Sequence, residues 1–250
     1  MRTSTLLAAL AAAVATASPI ASNNLKRSTE NELTDGSCRG VTFIMARGST
    51  ETGNMGETVG PATCKALKKI YGSDGVACQG VGSPYTAGIY ENSLPGGTSS
   101  AAYGEAEKLI TQAHTKCPDT VITCGGYSQG AAVMTDGIQR LSSDIQSQIA
   151  GVVLYGDTRN KQDDGGIPNF SKDKVKVYCN SGDGVCDGAL IVTAAHLEYE
   201  SKVSDAAMWL QTQVSSAGSS SNSSSNTTSS SPSASSSASA LGSLFGGLRA

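Results

Sequence analysis

The feature that most constrains the fold is the segment Gly-Tyr-Ser-Gln-Gly at positions 126–130. It follows an apolar run over 121–124 that is typical of a strand, and it leads into 131–134, which is typical of a helix. A serine on a sharp turn between strand and helix is pushed out of the backbone, and glycines two places to either side remove Cβ atoms that would clash. The pattern predicts that Ser128 is the nucleophile of a hydrolase.

The position of this serine at a predicted helix N-terminus adds a second chemical property. Unpaired backbone N–H groups at such an end, including that of Gln129, can hydrogen-bond a negatively charged oxygen. Such an oxygen forms when an ester carbonyl is attacked, so the segment predicts part of an oxyanion hole.

Strand-like and helix-like runs alternate along the chain. This alternation predicts an α/β fold, a three-layer sandwich with a central, mainly parallel, five-stranded sheet covered by helices on both sides. Ligand sites in such sheets lie beyond the carboxyl ends of the strands, where Ser128 falls. The predicted strands are 41–46, 76–81, 120–124, 149–155 and 175–179, and the predicted helices are 61–71, 99–116, 130–141 and 204–214.

A serine hydroxyl is a poor nucleophile until a base accepts its proton, and the usual base is a histidine. The chain has two histidines. His114 lies in a predicted helix upstream of the serine, where it is readily explained as a cation near the helix C-terminus. The order nucleophile, acid, histidine of α/β hydrolases requires the downstream residue, His196.

The third member must be a carboxylate between Ser128 and His196 that holds the imidazole in the right tautomer. Asp183 is favoured because it lies between two cysteines whose disulfide would fix a glycine-rich turn, although aspartate is equally a good turn residue. Asp157 is the second choice because it follows a predicted strand. The other candidates are Asp136, Asp144, Asp163, Asp164, Asp173 and Asp187.

The first residues, 1–17, have the organisation of a secretory signal peptide. Arg2 is followed by an apolar run over 6–14 and by small residues, which predicts cleavage after Ala17 and an extracellular location. The apolar run is too short to span a bilayer.

Downstream of the signal peptide we expect one domain. Lys26 and Arg27 either end a short pro-segment, 18–27, or are an ordinary solvated charge pair. The catalytic domain is expected over 28–215, about 190 residues, enough for one well-buried domain and too few for two. The remainder, 216–250, is a serine-rich tail.

The tail is predicted to be disordered because its composition cannot bury enough apolar surface. Its last apolar stretch, 241–248, is short, is broken by glycines and is followed by Arg249, which disfavours a lipid anchor. The candidate N-glycosylation acceptors of the chain are Asn169, Asn222 and Asn226.

Seven cysteines in a secreted chain imply disulfides with at least one thiol left over. Cys124 is the odd residue; it lies in an apolar predicted strand, where a buried, unreactive thiol is expected. The candidate pairs are Cys179 with Cys186, Cys64 with Cys78, and Cys38 with Cys117.

Charge and composition disfavour several functions. The net charge is −3, and no basic patch interleaved with aromatic residues is visible, so nucleic acid is not an expected partner. Two distant histidines and disulfide-placed cysteines offer no metal-ligand cluster, and no phosphate-binding loop is present. We expect the protein to bind no metal and no cofactor, to have no membrane span and to be a monomer.

Three segments together resemble fungal cutinases: Ala46 to Asn54, the segment 125–132, and Tyr178 to His196. The similarity covers roughly 38–210, nearly the whole globular part. It implies a lidless serine esterase of the α/β hydrolase type that cleaves carboxylic esters. The catalytic triad implied by the resemblance is Ser128, Asp183 and His196.

The same resemblance implies further roles. The oxyanion hole would combine the side chain and backbone N–H of Ser49 with the backbone N–H of Gln129, and Asn92 would support Ser49. The implied family disulfides are Cys38 with Cys117 and Cys179 with Cys186, and Cys64 with Cys78 matches an additional pair seen in some members.

Two positions depart from the family pattern. Ala77 stands where many cutinases have a tryptophan in the second strand, so Trp209 is the only tryptophan. Gly184 replaces a leucine commonly found beside the catalytic aspartate. The change removes an apolar side chain near the site and bears on the preferred chain length of the substrate.

The substrate is inferred from apolar residues in two loops expected to flank Ser128. Exposed apolar rims suit acyl chains or a waxy polymer, although such residues equally pack against a core. With the resemblance they predict cutin, a polyester of hydroxy fatty acids, and short-chain acyl esters as substrates. The expected substrate-lining residues are Ile89, Leu190, Ile191, Val192 and Leu197.

Two alternative functions remain. Acetylxylan esterases have a related architecture and turn, so an acetyl ester on a polysaccharide is the second candidate, but the Arg47 to Asn54 run resembles the cutinase form. The other is an inactive wall-associated interaction protein whose serine-rich tail is the functional part. The complete predicted triad argues against it.

Overall fold

A parallel sheet lies at the centre of the molecule. The computed structural model describes residues 28–224, and within that range the sheet has five strands in the order β2-β1-β3-β4-β5, with every neighbouring pair parallel. The prediction of a mainly parallel five-stranded sheet is confirmed. The strands are β1 (Val41–Ala46), β2 (Val76–Gly80), β3 (Val121–Tyr127), β4 (Ile149–Tyr155) and β5 (Val175–Tyr178).

Helices connect the strands and cover them. The α-helices of the described range are α1 (Glu32–Asp35), α2 (Gly60–Tyr71), α3 (Ser100–Lys116), α4 (Gln129–Ile138), α5 (Ser143–Gln148), α6 (Ala194–Leu197) and α7 (Val203–Ser224). Short 3₁₀ turns lie at Ile89–Ser93, Lys172–Lys174 and Tyr199–Lys202.

The sheet divides the core into two apolar clusters, and successive residues of β1 alternate between them. In one cluster α3 packs through Ala106 and Ile110, and α4 packs through Val133. In the other, α2 packs through Leu67 and α7 through Leu210. The result is the predicted three-layer α/β sandwich.

The order of strands positions the site. The chain passes from β1 outward to β2 and then returns to β3 on the other side of β1, so β1 and β3 flank a switch point in the sheet. Loops leaving the carboxyl ends of two such strands diverge and leave a crevice between them. Ser128 follows β3, and Ser49 lies in the loop after β1.

The last helix differs most from its predicted bounds. The apolar spacing predicts a helix over 204–214, whereas α7 continues to Ser224, past the position where the tail is predicted to begin. Hydroxyl groups of the serines accommodate this extension by bonding the preceding turn. Ser215 Oγ donates to the carbonyl of Gln211 at 2.9 Å, and Ser216 Oγ donates to that of Thr212 at 3.0 Å.

All three expected disulfides are present: Cys38–Cys117, Cys64–Cys78 and Cys179–Cys186. Cys124 is the free cysteine of the described range, and it is buried. Burial raises the pKa of its thiol, so it stays protonated and unreactive.

Some predictions concern residues that the structure does not describe. The signal peptide (1–17), the pro-segment (18–27), the tail beyond Ser224 and Asn226 lie outside the described residues. Between residues 28 and 224, none of the helices combines the length and apolar character that crossing a membrane requires.

Candidate active site

Ser128 forms the sharp turn between β3 and α4. Its backbone has φ 54° and ψ −122°, a strained conformation for a residue with a side chain. A Cβ atom on Gly126 would lie 2.5 Å from the carbonyl oxygen of Gly130, and one on Gly130 would overlap the carbonyl oxygen of Ala46. Close backbone contacts therefore require both glycines, for the reason that the sequence pattern indicates.

His196 connects Ser128 to Asp183. Nε2 of His196 lies 2.9 Å from Oγ of Ser128, and Nδ1 lies 2.8 Å from Oδ2 of Asp183. His196 and Asp183 are each 2% exposed, so their contact is shielded from water. When Nδ1 carries a proton and its N–H donates a hydrogen bond to the carboxylate, Nε2 is free to accept the proton of the serine hydroxyl.

The carboxylate of Asp183 is held by several donors. Its Oδ1 accepts the backbone N–H of Val185 at 3.0 Å, and its Oδ2 accepts the hydroxyl of Tyr199 at 2.6 Å in addition to the contact with His196. Asp183 lies in the loop closed by the Cys179–Cys186 disulfide. A buried carboxylate remains charged only when such donors replace water.

Two tyrosines that sequence reasoning missed surround the imidazole. The ring of Tyr127 stacks on His196 with a centroid distance of 5.3 Å, and the Tyr127 hydroxyl donates to the His196 carbonyl at 2.8 Å. Tyr199 meets the imidazole edge-on at 6.1 Å. Burial raises the pKa of both phenols, so both remain neutral donors. Two features of the sequence could have indicated them. Tyr127 directly precedes Ser128 in the turn motif, and Tyr199 lies three residues after His196.

The rival candidates lie elsewhere. Asp157 is fully buried and accepts the backbone N–H of Arg159 at 2.9 Å, and its Oδ2 has no hydrogen-bond partner in the described part of the chain. Burial raises the pKa of Asp157 to about 6. Nδ1 of His114 lies 2.6 Å from Oε1 of Gln148, a contact between α3 and α5. The structure thus pairs His196 with Asp183.

The loop after β1 lies beside the Ser128 turn because Ala46 and Gly126 are paired in the sheet. In that loop Oγ of Ser49 accepts a hydrogen bond of 2.8 Å from the side-chain amide of Asn92. The side-chain amide of Gln129 donates to the carbonyl of Gly88 at 2.7 Å. These bonds join the β1 loop, the Ile89–Ser93 turn and the start of α4 into one wall of the crevice.

The carboxylate of Glu51 fixes the conformation of the same loop. It accepts backbone N–H groups from Gly48 at 2.7 Å, Glu57 at 2.9 Å and Thr58 at 2.8 Å. The backbone on both sides of Ser49 is therefore held before any ligand binds, which is what a preorganised oxyanion hole requires.

Comparison with known proteins identifies the family. The model of the cutinase family matches residues 37–214. The chain is 50% identical over 222 residues to "Probable cutinase 1" of Aspergillus niger, which covers 86% of this chain and 85% of that protein. The chain belongs to the cutinase family. It is therefore a carboxylic ester hydrolase by family.

Solved structures agree with this assignment. A Trichoderma reesei cutinase in complex with a phosphonate inhibitor is 32% identical, with a TM-score of 0.65 over 75% of this chain and 80% of that one. The catalytic core of the acetyl xylan esterase from the same organism is 19% identical, with a TM-score of 0.55 over 71% of this chain and 100% of that one. The latter likeness concerns the fold alone.

The apolar residues expected to line the substrate site are all exposed, by between 56% and 68%. Tyr90, which sequence reasoning missed, is 78% exposed beside Ile89. The two loops that carry these residues are close to the site, because Ile89 follows Gly88, the acceptor for Gln129, and Leu197 follows His196. The exposed residues are Ile89, Leu190, Ile191, Val192 and Leu197.

The structure shows the surroundings of the two positions that depart from the cutinase pattern, Ala77 and Gly184. Ala77 is buried in β2. A Cβ atom on Gly184 would lie 3.8 Å from Cβ of Ala189, an ordinary contact, so the backbone there has room for a side chain.

Among residues 28–224, no three His, Cys, Asp or Glu side chains are grouped as a metal site.

Proposed function

We propose that this cutinase-family chain is a secreted serine esterase in which Ser128 is the nucleophile and His196 the general base. Asp183 holds the imidazole in the tautomer that accepts the serine proton. The observation that supports this proposal is the chain of contacts from Ser128 Oγ through His196 to Asp183 Oδ2, at 2.9 and 2.8 Å.

The proposed reaction is a two-step acyl transfer. Ser128 Oγ attacks the ester carbonyl carbon while Nε2 of His196 takes the hydroxyl proton, and the carbonyl oxygen becomes an oxyanion. The backbone N–H of Gln129 and the hydroxyl and N–H of Ser49 donate to that oxyanion. His196 then gives its proton to the departing alcohol, which leaves the acyl group on Ser128.

Water completes the cycle by the same route. His196 takes a proton from water as the water oxygen attacks the acyl carbon, and it returns the proton to Ser128 Oγ as the carboxylic acid departs. Throughout, Asp183 stays ionised and stabilises the transient imidazolium.

Replacement of Ser128 tests this assignment. Ser128→Ala should lower kcat on p-nitrophenyl butyrate at least about a thousandfold. Ser215→Ala is the matched control, because the Ser215 hydroxyl is exposed on α7 and bonds only the preceding turn. Full turnover in Ser128→Ala would remove the assignment, and no turnover by the unchanged protein would favour the inactive, wall-associated alternative.

The substrate that we propose is cutin, together with short-chain acyl esters. Support comes from the family and from the exposed apolar residues of the two loops, which would meet an insoluble aliphatic polymer without first having to leave the core. Release of hydroxy fatty acids from cutin, measured beside release of acetate from acetylated xylan, separates this substrate from the polysaccharide alternative. Acetate release alone would contradict cutin as substrate.

Secretion is proposed from the apolar N-terminal run and is supported by the three disulfides, which persist in an oxidising compartment. We further propose removal of 1–17, and of 18–27 where Lys26–Arg27 is cut, a catalytic domain over 28–215 and a serine-rich tail after it. Mass spectrometry of the protein secreted by a fungal host identifies its N-terminal residue and so tests both proposed cleavages. Light scattering tests the proposed monomer.

Asn169 is the glycosylation acceptor that the structure describes most fully. It is exposed, with φ 60°, in a turn that precedes the amino end of β5. Ser128 follows the carboxyl end of β3. Because the strands are parallel, Asn169 and Ser128 lie near opposite ends of the strands. A glycan on Asn169 would leave the proposed substrate face uncovered. Asn222 falls within the last turns of α7.

A further inference from the structure

One oxygen of Asp183 receives two hydrogen bonds. Oδ2 accepts from Nδ1 of His196 at 2.8 Å and from the hydroxyl of Tyr199 at 2.6 Å. Both Tyr199 and the carboxylate are buried. The Tyr199 hydroxyl and the imidazole N–H therefore donate to the same carboxylate oxygen.

The hydroxyl proton of Tyr199 is directed toward Asp183. The backbone N–H of Asn180 donates to the Tyr199 oxygen at 3.0 Å, which occupies the acceptor side of that oxygen. The hydroxyl proton therefore points away from Asn180. Asp183 Oδ2, at 2.6 Å, is a much nearer acceptor than the disulfide sulfur of Cys186, at 3.7 Å. Burial raises the pKa of Tyr199, so the donor keeps its proton.

We infer that Tyr199 is a positioning residue, whose hydroxyl holds Asp183 in place and limits how strongly that carboxylate attracts the proton on His196. This inference rests on the proposed roles of Ser128, Asp183 and His196. A carboxylate oxygen with two donors is less basic than one with a single donor. Loss of the Tyr199 hydroxyl would leave the imidazolium more strongly stabilised and Asp183 less firmly oriented.

Two further tyrosines lie around this pair. Tyr127 stacks on the imidazole, and Tyr155 lies edge-on to Tyr199 at 6.3 Å. Burial raises the pKa of both, so both are neutral over the working pH range. Glu51 acts on Tyr127 through its charge. The Cys186 sulfur near Asp183 belongs to a disulfide and does not titrate.

Tyr199→Phe tests the inference because it keeps the ring and removes the donor. We expect kcat on p-nitrophenyl butyrate to fall about tenfold, the loss of one charged hydrogen bond, with KM unchanged. The acid limb of kcat/KM should move to higher pH, because the carboxylate of Asp183 then stabilises the imidazolium of His196 more strongly. A loss of packing alone would lower stability without moving that limb.

Tyr178→Phe is the matched control. The Tyr178 hydroxyl also donates to an aspartate, Asp205 Oδ2, at 2.8 Å, but that pair lies on β5 and α7. Its acid limb should coincide with that of the unchanged protein. An unmoved acid limb in Tyr199→Phe, with a thermal midpoint near that of Tyr178→Phe, would overturn the inference.

A magnetic resonance titration separates this inference from the proposed function. The chain has two histidines, so two imidazole Cε1–H signals can be followed with pH in the full chain. In Tyr199→Phe the His196 signal should titrate at higher pH while the His114 signal serves as the internal reference. An unshifted His196 signal overturns the inference even if the unchanged protein is an active esterase. A shifted signal, when the unchanged protein hydrolyses no ester, overturns the proposed function instead.

In the unchanged protein, the Tyr199 hydroxyl proton should exchange slowly and show a cross-peak to the His196 Nδ1 proton. This readout needs no variant, so it applies even if Tyr199→Phe does not fold. A rapidly exchanging hydroxyl at Tyr199 would count against the inference.

Discussion

The side-chain amide of Asn92 donates hydrogen bonds to two oxygens, Oγ of Ser49 at 2.8 Å and the carbonyl of Ile89 at 3.1 Å. The bond to Ile89 fixes the amide within its own turn. The bond to Ser49 occupies an acceptor position of that hydroxyl, so its proton points away from Asn92. Asn92 therefore orients a donor in advance, which is the property that stabilises an oxyanion.

Ser49→Ala should lower kcat on a short p-nitrophenyl ester by roughly a hundred to a thousandfold, because one oxyanion donor is lost. Ser93→Ala is the control, since the Ser93 hydroxyl is exposed and bonds only the Tyr90 carbonyl. Full turnover in Ser49→Ala would show that its hydroxyl does not bind the oxyanion.

Asn92→Ala should act through Ser49 and should lower kcat about tenfold, the effect of a misoriented donor. The double variant Ser49→Ala/Asn92→Ala should then be no slower than Ser49→Ala alone. Steady-state kinetics of the four proteins measures this coupling. Strictly additive losses would mean that Asn92 serves some other purpose.

The turn around Ser128 and the order of elements could be predicted because each depends on local sequence. Continuous apolar runs are typical of strands that are covered on both faces. Glycines at 126 and 130 indicate that the backbone there leaves no room for a side chain. The grouping of Ser128 with His196 was also predictable, since a single histidine lies downstream of the serine.

Contacts between distant segments could not be predicted in the same way. Asp157 and Asp183 each follow a parallel strand, and only the path of the loop after β5, closed by Cys179–Cys186, brings one of them to the imidazole. Tyr199 reaches Asp183 through a hydrogen bond between side chains, and such a contact leaves no periodic pattern in the sequence. The extension of α7 was missed because serine has a modest intrinsic helix propensity.

Gly156 should be required for the position of the imidazole. A Cβ atom there would lie 2.8 Å from Cε1 and 2.9 Å from Nδ1 of His196. Gly156→Ala should therefore displace the ring and lower kcat about a hundredfold, as small misplacements of catalytic groups do. Gly72→Ala is the control, because Gly72 also has positive φ but no atom within 4 Å of the added carbon. Equal kinetics in the two variants would contradict the prediction.

Asp157 should make stability depend on pH. Burial raises its pKa from 3.8 to about 6 in the folded protein. The folded state therefore binds the proton more tightly, so the contribution to stability is full below pH 3.8 and is lost as the pH rises through about 6. The corresponding change in the free energy of unfolding is about 3 kcal/mol at most.

Asp157→Asn should accordingly be more stable than the unchanged protein at pH 8 and similar to it at pH 4. Urea unfolding at both pH values measures the difference. Asp173→Asn, an exposed position, controls for the loss of one carboxylate. A stability difference that is the same at pH 4 and pH 8 would show that the buried carboxyl does not titrate as expected.

The exposed apolar loops should matter for polymer substrates and not for soluble ones. Ile191 is 67% exposed, so Ile191→Ser leaves the core intact and removes only surface that would contact an aliphatic polymer. We expect severalfold slower release of hydroxy fatty acids from cutin, with kcat/KM on p-nitrophenyl butyrate within about twofold, since surface substitutions usually change stability little.

Met208→Ser provides the matched control for this loop, because Met208 is 54% exposed on α7. It removes a comparable apolar side chain from a helix whose other face packs on the sheet. Its activity on cutin should equal that of the unchanged protein. If Ile191→Ser and Met208→Ser slow cutin hydrolysis equally, general surface hydrophobicity governs adsorption; if neither does, the loops do not contact the polymer.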